Sequence, residues 1–198
     1  MTTNANILAG LKRIKWVAAD QLSVLNPPQS MLPWLCEPGL LTSKIQKHCK
    51  TSFTLELLTP DSPNNGWLRR YINWAPNQGG YHREIVMHCD GTPGLYAETI
   101  VPDETVELYP WIKSLGTQPL GKGLQLIDNV SRSEFEFAYV PINDLPEVPT
   151  SFLSNDLSIK KSGQGLWARR STYTINNSQL FLIEVFLSAI TTTCVDKP

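Results

Sequence analysis

Strand-like runs of apolar residues, alternating with polar ones in the first and nearly continuous at the end of the second, stand out in two stretches, and each is broken by a turn signal. His82 to Cys89, the turn-forming Asp90-Gly91-Thr92-Pro93-Gly94, and Leu95 to Val101 read as a β-hairpin. Leu166 to Ile175, Asn176-Asn177, and Gln179 to Leu187 read as a second one. Phe53 to Leu58 and Phe135 to Val140 have strand character, and Pro60 to Gly66 is a turn-rich loop. Tyr71 to Gly80 shows no clear pattern. The helical period appears near the N-terminus, where Ile7, Leu8, Leu11, Ile14, Trp16 and Val17 predict a short amphipathic helix ending before Asn26-Pro27-Pro28. A second helix is predicted from Thr42 or Ser43 to about Cys49, since Ser43 and Gln46 have capping-box spacing. Asp103 is the expected cap of a helix reaching about Leu115; a glycine-punctuated segment, Leu115 to Gly123, follows. Pro141 to Gly165, rich in Pro, Ser, Asn and Asp, is expected to be a long loop or flap. Hairpins with helices between them predict one α+β domain on an antiparallel sheet.

Two charges interrupt this patterning. On one face of the first hairpin Arg83 alternates with Ile85, Met87 and Cys89, so a guanidinium that cannot lose its proton is drawn into the core. In Leu180-Phe181-Leu182-Ile183-Glu184-Val185-Phe186-Leu187 one carboxylate sits inside a continuous apolar run. Such runs belong to strands buried on both faces, so Glu184 is buried whichever way it points. Two readings stand: Arg83 and Glu184 neutralise each other as a buried ion pair, or both line a polar spot in an apolar cavity that fixes an oxygen-bearing anion.

Composition narrows the partners. The 198 residues carry 17 Lys+Arg and 18 Asp+Glu, a formal net charge of −1 without a basic stripe. This argues against an electrostatic nucleic-acid binder. No apolar run approaches the ~20 residues of a membrane span, and Met1 to Trp16 has no apolar signal region, so a cytoplasmic protein is expected. Cys36, Cys49, Cys89 and Cys194 fit no zinc spacing, and His88 and Cys89, adjacent on a strand, face opposite ways. They are expected to be buried reduced thiols, with no metal site; His82 and His88 are expected to be structural. Gly121-Lys122-Gly123 lacks the spacing of a phosphate-cradling loop, and Ser171 has no nucleophile elbow around it.

Four segments, in order, resemble the chorismate pyruvate-lyase (4-hydroxybenzoate synthase) family. They are Arg83-Glu84-Ile85 with Asp90-Gly91 and Val101-Pro102; Leu115-Gly116 with Pro119-Leu120-Gly121; Gly165-Leu166-Trp167-Ala168-Arg169-Arg170-Ser171; and Glu184-Val185-Phe186-Leu187. The resemblance implies a chorismate lyase-like fold whose helices and flap-like loops enclose a buried ligand cavity. It implies cleavage of chorismate into 4-hydroxybenzoate and pyruvate, driven by aromatisation, with no metal or organic cofactor. Arg83 would grip the ring carboxylate, for which a planar guanidinium is suited. Glu184 would meet the ring hydroxyl, orienting it or moving a proton. The backbone amides of Leu120 and of Leu41, or its neighbour Leu40, would add donors. One of Arg169 and Arg170 would face the cavity and meet the side-chain carboxylate; Arg169 is the candidate. The same resemblance implies a monomer whose product feeds a prenylquinone pathway.

Residues 1–30 look like an N-terminal extension, and 129–164 like an added long loop or lid, within a single domain spanning 1–198. A rival reading is a non-catalytic sensor of a small carboxylate, because related folds occur in transcription regulators. Another is a chorismate-using enzyme that yields a different hydroxybenzoate, since regiochemistry depends on ring placement.

Overall fold

The strand patterning is realised as one antiparallel sheet. The computed structural model describes residues 14–58, 79–145 and 165–191. The strands are β1 (Val17–Ala18), β2 (Phe53–Leu58), β3 (Gly80–Cys89), β4 (Thr92–Pro102), β5 (Val130–Arg132), β6 (Glu136–Pro141), β7 (Gly165–Ile175) and β8 (Ser178–Phe186). Their order across the sheet is β1-β6-β7-β8-β4-β3-β2, with β5 pairing β7 beside β6. Among the described residues five short α-helices decorate it: α1 (Leu32–Leu35), α2 (Leu41–His48), α3 (Asp103–Leu108), α4 (Leu120–Leu124) and α5 (Ser188–Thr191). The α+β architecture expected from the sequence is therefore the observed one.

The first hairpin turns more tightly than its Gly/Pro content suggests. Asp90 and Gly91 alone make the turn, at φ of 52° and 78°, where a glycine and an aspartate are at ease. The Asp90 carboxylate also accepts N–H bonds from Lys50, Thr51 and Ser52 at 2.7–2.9 Å, tying β3 to the segment before β2. Beside it Cys49 and Cys89 form a disulfide, with Cα atoms 5.1 Å apart. This corrects the expectation of reduced thiols: the end of α2 and the end of β3 meet only in the folded chain. Cys36 is free and exposed rather than buried.

Other corrections have local causes. The expected N-terminal helix is extended at its end, because Ile14 joins the apolar cluster on one face of the sheet and Val17 the cluster on the other. Val17 pairs with Phe137 in β1, and Ala19–Leu25 is a 3₁₀ segment. Helix α2 begins at Leu41 with no side-chain cap, so Ser43 and Gln46 lie inside it; burial of Leu41 and Ile45 sets its start. Helix α3 has Pro102, not Asp103, at its cap position and stops at Leu108, and Pro110 opens a separate 3₁₀ turn through Ser114. In the stretch expected to be loop from Asn129 onward, Val130–Arg132 forms β5, while the strand expected at Phe135 to Val140 is observed as β6. Ile7 to Leu11, Pro60 to Gly66, most of Tyr71 to Gly80, and 146–164 lie outside the described residues.

One face of the sheet packs Ile85, Met87, Leu95, Ala97 and Phe186 under α1 and α2. At the far end of that face, Val101, Ile175 and Leu180 pack with Ile112, Leu115, Leu120 and Leu124. The opposite face buries Val86, Tyr96, Ile100, Ile183 and Val185.

Candidate active site

Between the two clusters on the first face, the sheet carries polar side chains. Arg83 pairs with Thr99, Thr99 with Leu182 and Leu182 with Ser171; the next row runs Ile85, Ala97, Glu184 and Arg169. Strand alternation points both rows to the same side. Above them two helix starts converge, Leu40 to Thr42 at α2 and Leu120-Gly121 at α4. First-turn N–H groups have no intrahelical acceptor, and among the described residues the Leu41 and Leu120 amides have no backbone partner. The two starts meet closely at Gly121: a Cβ there would lie 2.5 Å from a terminal methyl of Leu40, which would have to shift.

Arg83 is 2% exposed. One guanidinium nitrogen, Nη2, donates to the Gly116 and Gln118 carbonyls, both at 2.9 Å, and so braces the loop leading into α4. Its Nε–H is buried with no partner. Burial pushes the Arg83 guanidinium below its ordinary pKa, opposed by Tyr81. No carboxylate among the described residues pairs with it.

Glu184 has a different partner. Arg169 donates from Nε to Glu184 Oε2 at 2.6 Å, in a pair that is nearly fully buried. The Arg169 Nη1 donates to the carbonyls of Leu35 and Glu37 at 3.1 and 2.9 Å, with that of Trp34 at 3.4 Å, and the guanidinium lies 4.2 Å from the Phe135 ring centre. Arg170 points to the other side, where it pairs with Glu136 at 2.9 Å and lies over Trp16. Of the two open readings, the Arg83–Glu184 ion pair is therefore absent, and Arg169 is the arginine that faces the cavity.

Arg83, Glu184, Arg169, Leu41 and Leu120 all line one inner cavity of about 50 Å³. A wider outer cavity of about 660 Å³ adjoins it, and Gly39, Leu40, Gly121, Arg132 and Tyr173 line both. All the residues chosen from sequence thus come together. Thr99, Arg132 and Tyr173 were missed; β5, which carries Arg132, is too short to show alternation.

A model of the family described as chorismate lyase matches residues 10–195. The chain belongs to the chorismate lyase family. Its relatives include proteins named "Probable chorismate pyruvate-lyase" in three bacteria. That of Shewanella loihica is 28% identical, over 88% of this chain and 87% of its own. That of Dechloromonas aromatica is 27% identical, over 91% and 98%. That of Aromatoleum aromaticum is 30% identical, over 82% and 87%. Among solved structures, the C-terminal domain of histidine utilization repressor from Pseudomonas syringae pv. tomato is 12% identical, with a TM-score of 0.45 over 70% of this chain and 93% of that one.

Chemically, the lyase-family cavity offers a buried cation with an idle donor, a carboxylate held by its own counter-ion, and two backbone N–H groups. That set suits a small ring bearing a carboxylate at one end and a hydroxyl at the other. On the opposite sheet face His82, Glu84 and Glu98 bring ligand-type atoms within 4.8 Å of one another. His82 bonds Glu98 at 2.9 Å and the Tyr96 hydroxyl donates to Glu84, so this cluster is already hydrogen-bonded and stands apart from the cavity. His88 meets Glu56 at 2.9 Å. Among the described residues no helix is long and apolar enough to cross a membrane.

Proposed function

We propose that the chain converts chorismate into 4-hydroxybenzoate and pyruvate. The observation that carries this reading is the buried Arg83 guanidinium, which lines the cavity with an unpartnered Nε–H and no carboxylate beside it. A buried cation is costly until an anion joins it, so a carboxylate ligand supplies what the fold lacks. The ring carboxylate is assigned to Arg83, with the Leu120 and Leu41 amides as further donors. Glu184 then meets the C4 hydroxyl at the other end of the ring, and Arg169 holds the Glu184 carboxylate in place. In the reaction the C4–H proton leaves and its electron pair becomes the third ring double bond. The C3–O pair departs with the enolpyruvyl oxygen, and the released enolate takes up a proton at its methylene carbon to become pyruvate. Electrons balance within the substrate, so no oxidant is required. Exclusion of water by the apolar walls strengthens each charged contact. The reading extends to a cytoplasmic monomer that supplies 4-hydroxybenzoate for a prenylquinone.

The test is purified protein with chorismate, following both products. Equal amounts of pyruvate and 4-hydroxybenzoate are expected. Absence of pyruvate overturns the enzyme reading, and tight binding of 4-hydroxybenzoate without turnover would identify a sensor. A different hydroxybenzoate would overturn the assigned regiochemistry.

A further inference from the structure

We propose that Arg132 binds the second carboxylate of the substrate, the one on the enolpyruvyl side chain, and so separates dianionic substrate from monoanionic aromatic product. The inference rests on the lyase reading above. Chorismate carries two carboxylates, and Arg83 accounts for one. Arg169 lines the cavity, but its charge is neutralised by Glu184 and two of its nitrogens are occupied. Arg170 lies on the other face with Glu136. Lys44, on α2, pairs with Glu37 at 2.8 Å.

Arg132 is different. It lines both the inner and the outer cavity, so it stands where a ligand too long for the inner one would emerge. The inner cavity, about 50 Å³, is small beside the roughly 300–1,000 Å³ of ordinary ligand pockets, so part of the substrate must reach the junction. The guanidinium lies 4.2 Å from the Phe135 ring centre and 5.9 Å from that of Tyr173. Aromatic neighbours steady a guanidinium while leaving its in-plane N–H groups available. One nitrogen, Nη2, donates to the Pro38 carbonyl at 2.8 Å, which anchors the side chain. Among the described residues no carboxylate forms an ion pair with it; Glu134 lines the outer cavity without doing so. A fixed cation with spare donors at the mouth is a carboxylate receptor.

Two variants and one pair of analogues test this. For Arg132→Gln, KM for chorismate should rise about 10- to 100-fold, the loss expected for a charge-assisted hydrogen bond. The Kd for 4-hydroxybenzoate, which lacks the side chain, should stay within about twofold of wild type, and Arg132→Lys should restore part of the KM. Parallel shifts in KM and product Kd, or no shift in either, overturn the proposal. On the unmodified protein, 3-(carboxymethoxy)benzoate should bind more tightly than 3-methoxybenzoate, which lacks the second carboxylate. Equal binding overturns the proposal even if Arg132→Gln does not fold. The analogue comparison needs no turnover, so loss of the lyase reading and loss of this one are seen separately.

Discussion

Arg169 and Glu184 face each other across β7 and β8, and their side chains meet at 2.6 Å inside the cavity. Because Glu184 has this partner, Arg83, two strands away, is left without an anion. At this buried wall the Arg83 guanidinium is therefore a cation with no counter-ion among the described residues, and that imbalance is what a carboxylate would correct.

The Arg169–Glu184 pair should show strong energetic coupling. Arg169→Gln leaves a buried carboxylate uncompensated, at a cost of about 3–5 kcal/mol. Glu184→Gln combined with Arg169→Gln should cost clearly less than the two single changes added together. Urea denaturation of all four proteins measures the difference; simple additivity would mean the pair is not coupled. In the same set Glu184→Gln should depress turnover while leaving 4-hydroxybenzoate affinity nearly intact.

Arg83→Met should weaken 4-hydroxybenzoate binding by about 10- to 100-fold, the loss of one charge-assisted contact. Arg83→Lys should fail to restore it, because an ammonium cannot brace the Gly116 and Gln118 carbonyls and present a second donor edge together. Titration of intrinsic fluorescence with 4-hydroxybenzoate reports both. Near-normal affinity in Arg83→Lys would refute the forked role.

Asp90 sets an acid limit. Hydrogen bonds from the Ser52, Lys50 and Thr51 backbone and the Thr51 hydroxyl hold its carboxyl well below the usual range. A depressed folded-state pKa gives stability that is complete above the unfolded value near 4 and is lost as pH falls below it. The wild type should lose urea resistance between about pH 5 and pH 2 more steeply than Asp90→Asn, which lacks that titration. Parallel profiles would remove Asp90 from the acid response.

Replacing both Cys49 and Cys89 by serine should lower stability by about 2–4 kcal/mol, since the disulfide closes a loop of 40 residues in the unfolded chain. Dithiothreitol should lower the denaturation midpoint of the wild type and leave that of the double serine variant unchanged.

What was legible in the sequence was whatever interrupted a strong local pattern. Arg83 and Glu184 stood out because each breaks an apolar strand; the first hairpin was marked by alternation plus a turn, the second by an apolar run beside its Asn-Asn turn. Three features were not legible, for physical reasons. β1 and β5 are two and three residues long, below the length at which alternation is visible. The start of α2 is set by burial of Leu41 rather than by a polar cap. The partner of Glu184 was open, because the register that brings it to Arg169 rather than Arg83 is a property of the assembled sheet.

The order of strands also dates the site within folding. Arg83 belongs to the β3–β4 hairpin and Glu184 with Arg169 to the β7–β8 hairpin, and each hairpin closes through a short local turn. The cavity exists only once β4 has zipped against β8, a pairing of residues such as Thr99 and Leu182 that are remote in the chain. Such long-range closure is slow compared with hairpin formation. A ligand that bridges Arg83 and Glu184 would therefore bind only after the β4–β8 seam has formed, and would stabilise the chain in that assembled state rather than either hairpin alone.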